Sequence, residues 1–479
     1  MKRIHHYRGW AKLALAVVIT ITAGLALIAQ RPASARLTVT FNKDVAPIFF
    51  KSCAECHRPG EAAPFSILSY KDARPWAKSI REQVVSRQMP PWHADPHVGK
   101  WANDRSLSRA EIDTIKAWVD GGASEGEAND LPPAPQFVEG WRIGKPDLML
   151  TMPEEFTLDA SGPDEYQHFE IPLNFTEDRY VLKAEARPGN RKIVHHIIAF
   201  IVPPPPGDRP QPGSEEAARR SAEDEKESIL YQEGFVRRVK ADAPVYDDGC
   251  ATKGGGIGFT RDGSAASNVM TALAGYAPGS DGNLFGAGVG IKIPAGSRIR
   301  LEVHYSKITG KVEKDRSRVG IIFAKEAPRQ LAVTRFIGNT YFRIPPGAAR
   351  HRVTGCWTAP EDMHLHSLTP HMHYRGAAME YKVFYPDGRS EVLLNVPNYS
   401  FAWQTTYVPQ ESIAIPKGTR FLITGYFDNS SKNKFNPDPT RTVRFGEPSY
   451  DEMLAGFINY TADGQAQKGA GAASAARDR

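Results

Sequence analysis

Hydrophobic positions along the chain follow two rhythms. As far as residue 122 they recur at helical spacing: in "SRAEIDTIKAWV", Ile112, Ile115, Trp118 and Val119 share one face, Ser108 stands as N-cap and Glu111 falls at capping-box distance. Gly121 and Gly122 stop that helix, and "GGASEGEANDLPPAPQ" is a small, polar, Pro-containing stretch of the kind that joins domains. Beyond Trp141 the rhythm shortens to β-type runs, "RYVLKAEA", "IVHHIIAF", "RIRLEVHY", "EYKVFY" and "RFLITGYF", broken by "PDG", "PAGS", "PPG" and "PKG" turns. Many short strands at turn-rich intervals predict β-sandwiches or jelly rolls, and the span is longer than one small sandwich needs. The expected architecture is therefore multidomain: a small all-α domain over 38–123, a linker over 124–140, and two all-β jelly-roll sandwich domains over 141–330 and 331–462.

Three segments stand outside this scheme. The N-terminus is basic, runs apolar from Leu13 to Ala29 and reaches "ASA", so 1–35 reads as an export signal, with an uncleaved membrane anchor as the alternative. "PPPPGDRPQPGSEEAARRSAEDEKES" is Pro-rich and then charged, a surface insertion. The tail over 463–479 offers little to bury and is expected to be disordered.

Composition narrows the partners. The 479 residues are 41% hydrophobic and 24% charged, ordinary for a folded chain, and the formal charge of +6 is not gathered into any Lys/Arg block. Nucleic acid is not the expected partner. Two of the four cysteines lie in "CAECH", which leaves Cys250 and Cys356 as a candidate disulfide in the oxidising space outside the cytoplasm, a periplasm or beyond.

"CAECH" is a C-x-x-C-H attachment site for one covalent haem c: Cys53 and Cys56 take the vinyl groups and His57 one axial position on iron. Zinc needs more ligands than this block offers, and a redox C-x-x-C has no use for the histidine. Within "RQMPPWHADPH", Met89, His93 and His97 all follow as sixth-ligand candidates; the prolines after Met89 would hold a rigid ligand loop and favour it. A methionine ligand makes an electron carrier rather than an oxygen-activating haem.

The β half carries His195 and His196 in "IVHHIIAF", His304 in "LEVHYSK", His371 and His373 in "PHMHYRG", and Met453 in "SYDEM". Alternate strand positions face one way, so His371 and His373 can grip one ion, whereas adjacent His195 and His196 would point apart unless the backbone is irregular there. Blue copper would require a cysteine thiolate, and "HMHYRG" lacks the acidic residue of the usual zinc-hydrolase H-x-H-x-D pattern.

The set resembles the copper type II, ascorbate-dependent monooxygenases, the family of peptidylglycine α-hydroxylating monooxygenase and dopamine β-monooxygenase. The likeness runs in order through "DEYQHFEIPLN", "GNRKIVHHIIAF", "LAGYAP", "GVGIKIP", "LEVHYSK", "PHMHYRG" and "VRFGEPSYDEM". It implies two copper ions, one on His195, His196 and His304 that relays an electron, the other on His371, His373 and Met453 that meets dioxygen and hydroxylates a C–H bond. The soft thioether of Met453 suits Cu(I). The resemblance assigns no metal to His168, His364 or His366. A haem domain in cis would replace or supplement ascorbate, itself reduced by a redox protein, a quinol-linked chain or an ascorbate-like reductant, and tethering raises its effective concentration.

The peptide-amidating members clamp a carboxylate with an arginine, an asparagine and a tyrosine where this chain has Thr369, Ala455 and Phe457, although Tyr166 matches another tyrosine of that pocket. Losing one charged hydrogen bond costs about 1.5–3 kcal/mol, so the expected substrate is a neutral or hydrophobic small molecule rather than a peptide. "YFDNSSKNKFNPDP" reads either as a loop closing over the second site or as a plain surface turn. Two other functions compete: an exported electron-transfer or copper-binding protein without turnover, and a binding sandwich in which the cytochrome is the only redox centre.

Overall fold

The structure, a computed structural model, describes residues 39–204, 229–231, 237–239, 248–250, 271–277, 283–284 and 288–465, apart from Ala62, Glu139, Pro163, Ile308 and Glu447. The export segment, the charged insertion and nearly all of the tail lie outside the described residues. Among the described residues strands make up 39% and helices 13%, so this part of the chain is mostly β with a small helical region at the front.

That helical region packs around aromatic rings. A π-turn, Phe41–Val45, leads into the helix Ala46–Ser52, and the helices Ala77–Val85 and Arg109–Asp120 follow. Phe41 and Phe49 close on Trp118 at 5.8 and 6.2 Å between ring centroids. Ser108 Oγ accepts from the Glu111 amide while the Glu111 carboxylate accepts from the Ser108 amide, the reciprocal cap that the sequence spacing predicts. Within the stretch toward residue 140, Phe137 packs on this core and lies 4.0 Å under the Arg58 guanidinium.

Two further cores belong to the β half, one running from Leu150 to Ala332 and one from Ile337 to Ala462. Each has its own four-stranded antiparallel sheet. In the first the order is Glu165–Pro172, Arg298–Tyr305, Val194–Val202, Thr271–Tyr276; in the second it is His351–Thr358, Arg420–Phe427, Gly376–Phe384, Ser390–Val396. A nine-stranded sheet runs through both units, and the strand Gln330–Asn339 is its splice. The start of that strand pairs in parallel with Val289–Ile293, and from Ala332 onward it pairs antiparallel with Leu454–Ala462. The change of unit therefore falls inside one strand rather than in a linker.

Residues 92–101 do not join the helical core. Trp92, Ala94 and Trp101 are buried with the second β core, their rings 4.9 and 5.4 Å from Tyr407 for the two tryptophans. The backbone follows: Asp95 N–H donates to Asn395 O at 2.8 Å and Ala102 N–H to Val408 O at 2.7 Å. Gly99 has φ +73°, and a Cβ there would meet the Trp101 ring at 2.6 Å, so no other residue fits the turn that tucks this indole in.

On its other side the helical region is pinned to the first β unit by the ion pairs Arg142–Glu55 and Arg191–Glu61. A disulfide joins Cys250 to Cys356 with Cα atoms 5.0 Å apart, tying the long connection between strands of the first unit to a strand of the second. Among the described residues no helix is long and apolar enough to cross a membrane.

Candidate metal centres

The first site rests on a β-bulge. Along the pairing with Arg298–Tyr305, His304 lies opposite His196 and Tyr305 lies opposite Val194, so His195 is the extra residue on its strand. The bulge cancels the alternation that would send neighbouring side chains apart. His195 Nδ1 and His304 Nδ1 each lie 3.3 Å from His196 Nδ1, and one ligand atom from each ring falls within 4.8 Å of the others. Two nitrogens held about 2.0 Å from a tetrahedral ion stand about 3.3 Å apart, so the two 3.3 Å spacings are those of metal ligands.

The opposite edges of these rings are held. His304 Nε2 lies 3.1 Å from Asp164, His196 Nε2 reaches toward Glu302 at 4.0 Å, and His195 hydrogen-bonds the Ala402 backbone. Carboxylates and carbonyls behind imidazoles fix tautomer and orientation, as ligating histidines require. Burial, and then the His304 imidazole, push His195 down to about 4; burial and the surrounding histidines hold His196 well below its ordinary value. Both are neutral near pH 7, the state that binds metal.

The second site presents the other nitrogen. His371 ends its strand and His373 lies just beyond, their ring centroids 5.1 Å apart and nearly perpendicular, while Met372 between them turns into the second core. His371 Nδ1 bonds Gln404 Oε1 at 2.8 Å and His373 Nδ1 bonds Asp451 O at 3.2 Å, which leaves both Nε2 atoms for a ligand. Burial lowers the pKa of both imidazoles.

The first two residues of "DEM" serve this place. Asp451 holds the His373 ring through its carbonyl. The fully buried Glu452 carboxylate accepts from the amides of His373 at 2.8 Å and Arg375 at 2.6 Å, fastening the H-x-H turn to the segment that carries the buried Met453. Burial pushes Glu452 up to about 8, against the pull of those amides.

The two sites face each other across the seam between the β units. Phe401 stacks on His195 at 5.4 Å and lies 5.9 Å from His373, touching both groups. Asp164, from the first unit, accepts from His304 and from Tyr374 of the second. Tyr166 stacks on His304 at 4.3 Å and its hydroxyl meets Ser449 Oγ at 2.7 Å, so it serves the seam and the first site.

The remaining expected residues separate by place. Ala455 lies opposite His371 and Phe457 opposite Thr369, and Phe457 packs 5.5 Å from Phe336, an apolar wall beside His371. Thr369 Oγ1 bonds Thr406 at 2.9 Å. His366 bonds Thr461, His364 faces Asp463, and His168 faces Glu302, all outside the two groups. "YFDNSSKNKFNPDP" is anchored at its start, where buried Asn429 accepts from the Arg375 guanidinium at 2.8 Å and Asn433 donates to Tyr374 O, while its Phe435 is exposed.

The C-x-x-C-H turn follows the helix Ala46–Ser52. Cys53 and Cys56 are free thiols there, and burial raises the pKa of both, Cys53 to about 12. His57 Nδ1 bonds Phe65 O at 3.1 Å, which leaves Nε2 as the ring nitrogen for a ligand. Met89 is half-buried, and the His93 backbone hydrogen-bonds Tyr407, which draws that segment toward the second β unit.

Sequence reasoning missed Asp164, Glu302, Gln404 and Phe401. Only the density of aromatics in "YSFAWQTTY" set that loop apart.

No family model matches the chain, and no curated protein matches it. Among solved structures it is similar to PNGF-II, with 8% identity, 66% of this chain and 64% of that chain covered, and a TM-score of 0.27. The chain thus spans less than two thirds of PNGF-II. An infectious bursal disease virus VP2 subviral particle matches at 8% identity over 66% of this chain and 81% of that one, with a TM-score of 0.16. An aminopeptidase from the marine sediment archaeon Thaumarchaeota archaeon matches at 13% identity over 30% and 34%, with a TM-score of 0.12. Scores this low carry no argument about fold or function.

Proposed function

We propose that the chain is an exported, haem-linked copper monooxygenase, built as a c-type cytochrome domain followed by two jelly-roll copper domains, that hydroxylates a C–H bond of a neutral or hydrophobic small molecule. The observation that carries the reading is the pair of facing histidine groups, one converging through Nδ1 and the other anchored through Nδ1 with Nε2 left for a ligand, in the unit that also buries Met453. With copper bound at both places and haem c on Cys53 and Cys56, the cofactors would supply dioxygen activation and one-electron delivery.

The donor sets favour copper over zinc. His195, His196 and His304 form an all-imidazole set, and a thioether joins His371 and His373 in the other, a soft donor that zinc hydrolases do not use. The nearby carboxylates are committed elsewhere: Asp164 to His304 and Tyr374, Glu452 to backbone amides. His57 and Met89 would hold the haem iron.

On the substrate side, Ala455, Phe457 and Phe336 make an apolar surface beside His371 that excludes water and offers no charge to a carboxylate. A redox protein, a quinol-linked chain or an ascorbate-like reductant would reduce the haem. The test is to incubate reduced, copper-loaded protein with dioxygen and a metabolite extract. Oxygen uptake matched by a hydroxylated neutral product supports the proposal; peroxide without product, or hydroxylation of a carboxylated peptide alone, contradicts it.

A further inference from the structure

The loop from Tyr399 to Tyr407 carries no histidine, cysteine, methionine or carboxylate, yet it touches both histidine groups. Its base is fixed to the second unit. The Tyr399 hydroxyl donates to Met372 O at 2.7 Å and accepts from Met372 N–H at 3.0 Å, and Tyr407 exchanges backbone hydrogen bonds with Leu368. Gln404 holds His371, and Thr406 bonds Thr369. From that base the loop reaches across the seam: the Ala402 backbone bonds the His195 ring, and the Phe401 ring lies 5.4 Å from His195 at an interplanar angle of 20°.

Phe401 is also 5.8 Å from His304, 5.9 Å from His373 and 4.9 Å from Tyr374. One side chain thus contacts two rings of the first group and one of the second. Ring separations of 4.5–7 Å are attractive contacts. The hydrogen bonds at Asp164 and Tyr166 close the same seam from the first unit, so the loop acts with them.

We infer that Phe401 is a positioning residue that, together with the Asp164 and Tyr166 contacts, sets how the two histidine groups face each other. The inference rests on the two-metal reading only for its consequence; the contact itself belongs to the metal-free chain. Because the loop base also orients His371, movement of Phe401 is transmitted to both sites.

The test uses the full chain with Phe401→Ala and Phe401→Leu, which remove the ring, and Phe401→Tyr, which keeps it. In metal-free protein, hydrogen exchange over 194–198 should rise about tenfold in the first two variants, the size of one lost aromatic contact, and stay unchanged in Phe401→Tyr. Exchange in the helix Arg109–Asp120 should not move in any of them, which separates a local effect from unfolding. In protein loaded with Cu(II), the dipolar interaction between the two ions read by EPR should weaken in Phe401→Ala and Phe401→Leu while copper content is kept.

Unchanged exchange in both ring-deleted variants overturns the inference. If the native chain takes up no copper, the proposed function fails, and the exchange result alone still decides the role of Phe401.

Discussion

Replacing Asp164 by asparagine is the sharpest perturbation of the first site. One carboxylate oxygen accepts from His304 Nε2 at 3.1 Å and from the Tyr374 hydroxyl at 3.2 Å. Burial works against the charge, but bonds from His304, Tyr374 and the Lys307 amide outweigh it and hold the Asp164 pKa below the usual carboxylate range. The group is therefore ionised at neutral pH. The amide introduced by Asp164→Asn would keep one neutral acceptor, exchanging bonds worth about 1.5–3 kcal/mol for ones worth about 0.5–1.5 kcal/mol. The metal-free protein should lose about 1–2 kcal/mol in denaturant unfolding. Loss of a carboxylate behind a ligating imidazole lowers metal affinity by about 10–100-fold. Copper titration against a competing chelator should show that drop at the His195, His196 and His304 site and none at the other. A change below about threefold, or an equal loss at both sites, would rule this explanation out.

Three other outcomes are expected. His196→Ala should remove one copper equivalent by elemental analysis and leave the haem absorption spectrum intact; unchanged copper would mean that these rings do not form a site. Cys250→Ser with Cys356→Ser opens a closure of 106 residues and should destabilise the protein by about 2–4 kcal/mol, read as a lower Tm, and no shift would show that the bridge contributes nothing. Trp101→Ala removes an indole buried to 6% exposure and should cost about 3–5 kcal/mol. It should also open residues 90–103 to limited proteolysis while the helix Arg109–Asp120 stays protected; cleavage no faster than in the native chain would contradict the docking described above.

The helix Arg109–Asp120 was legible because its cap and its apolar face are local: Ser108, Glu111, Ile112 and Trp118 declare themselves within a few positions. The mostly β texture was legible for the same reason. Period-two reasoning alone would have parted His195 from His196, and the family likeness supplied the demand for an irregular backbone, which the structure places at His195. Partners across long distances were not legible. Trp92 and Trp101 announce burial but not the second β core as their destination. Asp164, Gln404 and Phe401 are ordinary residues in ordinary loops, and only the register of strands far apart in sequence brings them to the histidines. The division expected between 330 and 331 lies within one strand, Gln330–Asn339, whose two ends serve different cores, so no turn or linker marks it.

Metal analysis of the purified full chain decides whether the facing histidine groups are copper sites. Copper measured together with haem iron should give about two coppers for each covalent haem, as two soft-to-intermediate donor sets and one attachment motif require. A protein that carries its haem yet holds no copper after loading with Cu(I) or Cu(II) would overturn that reading.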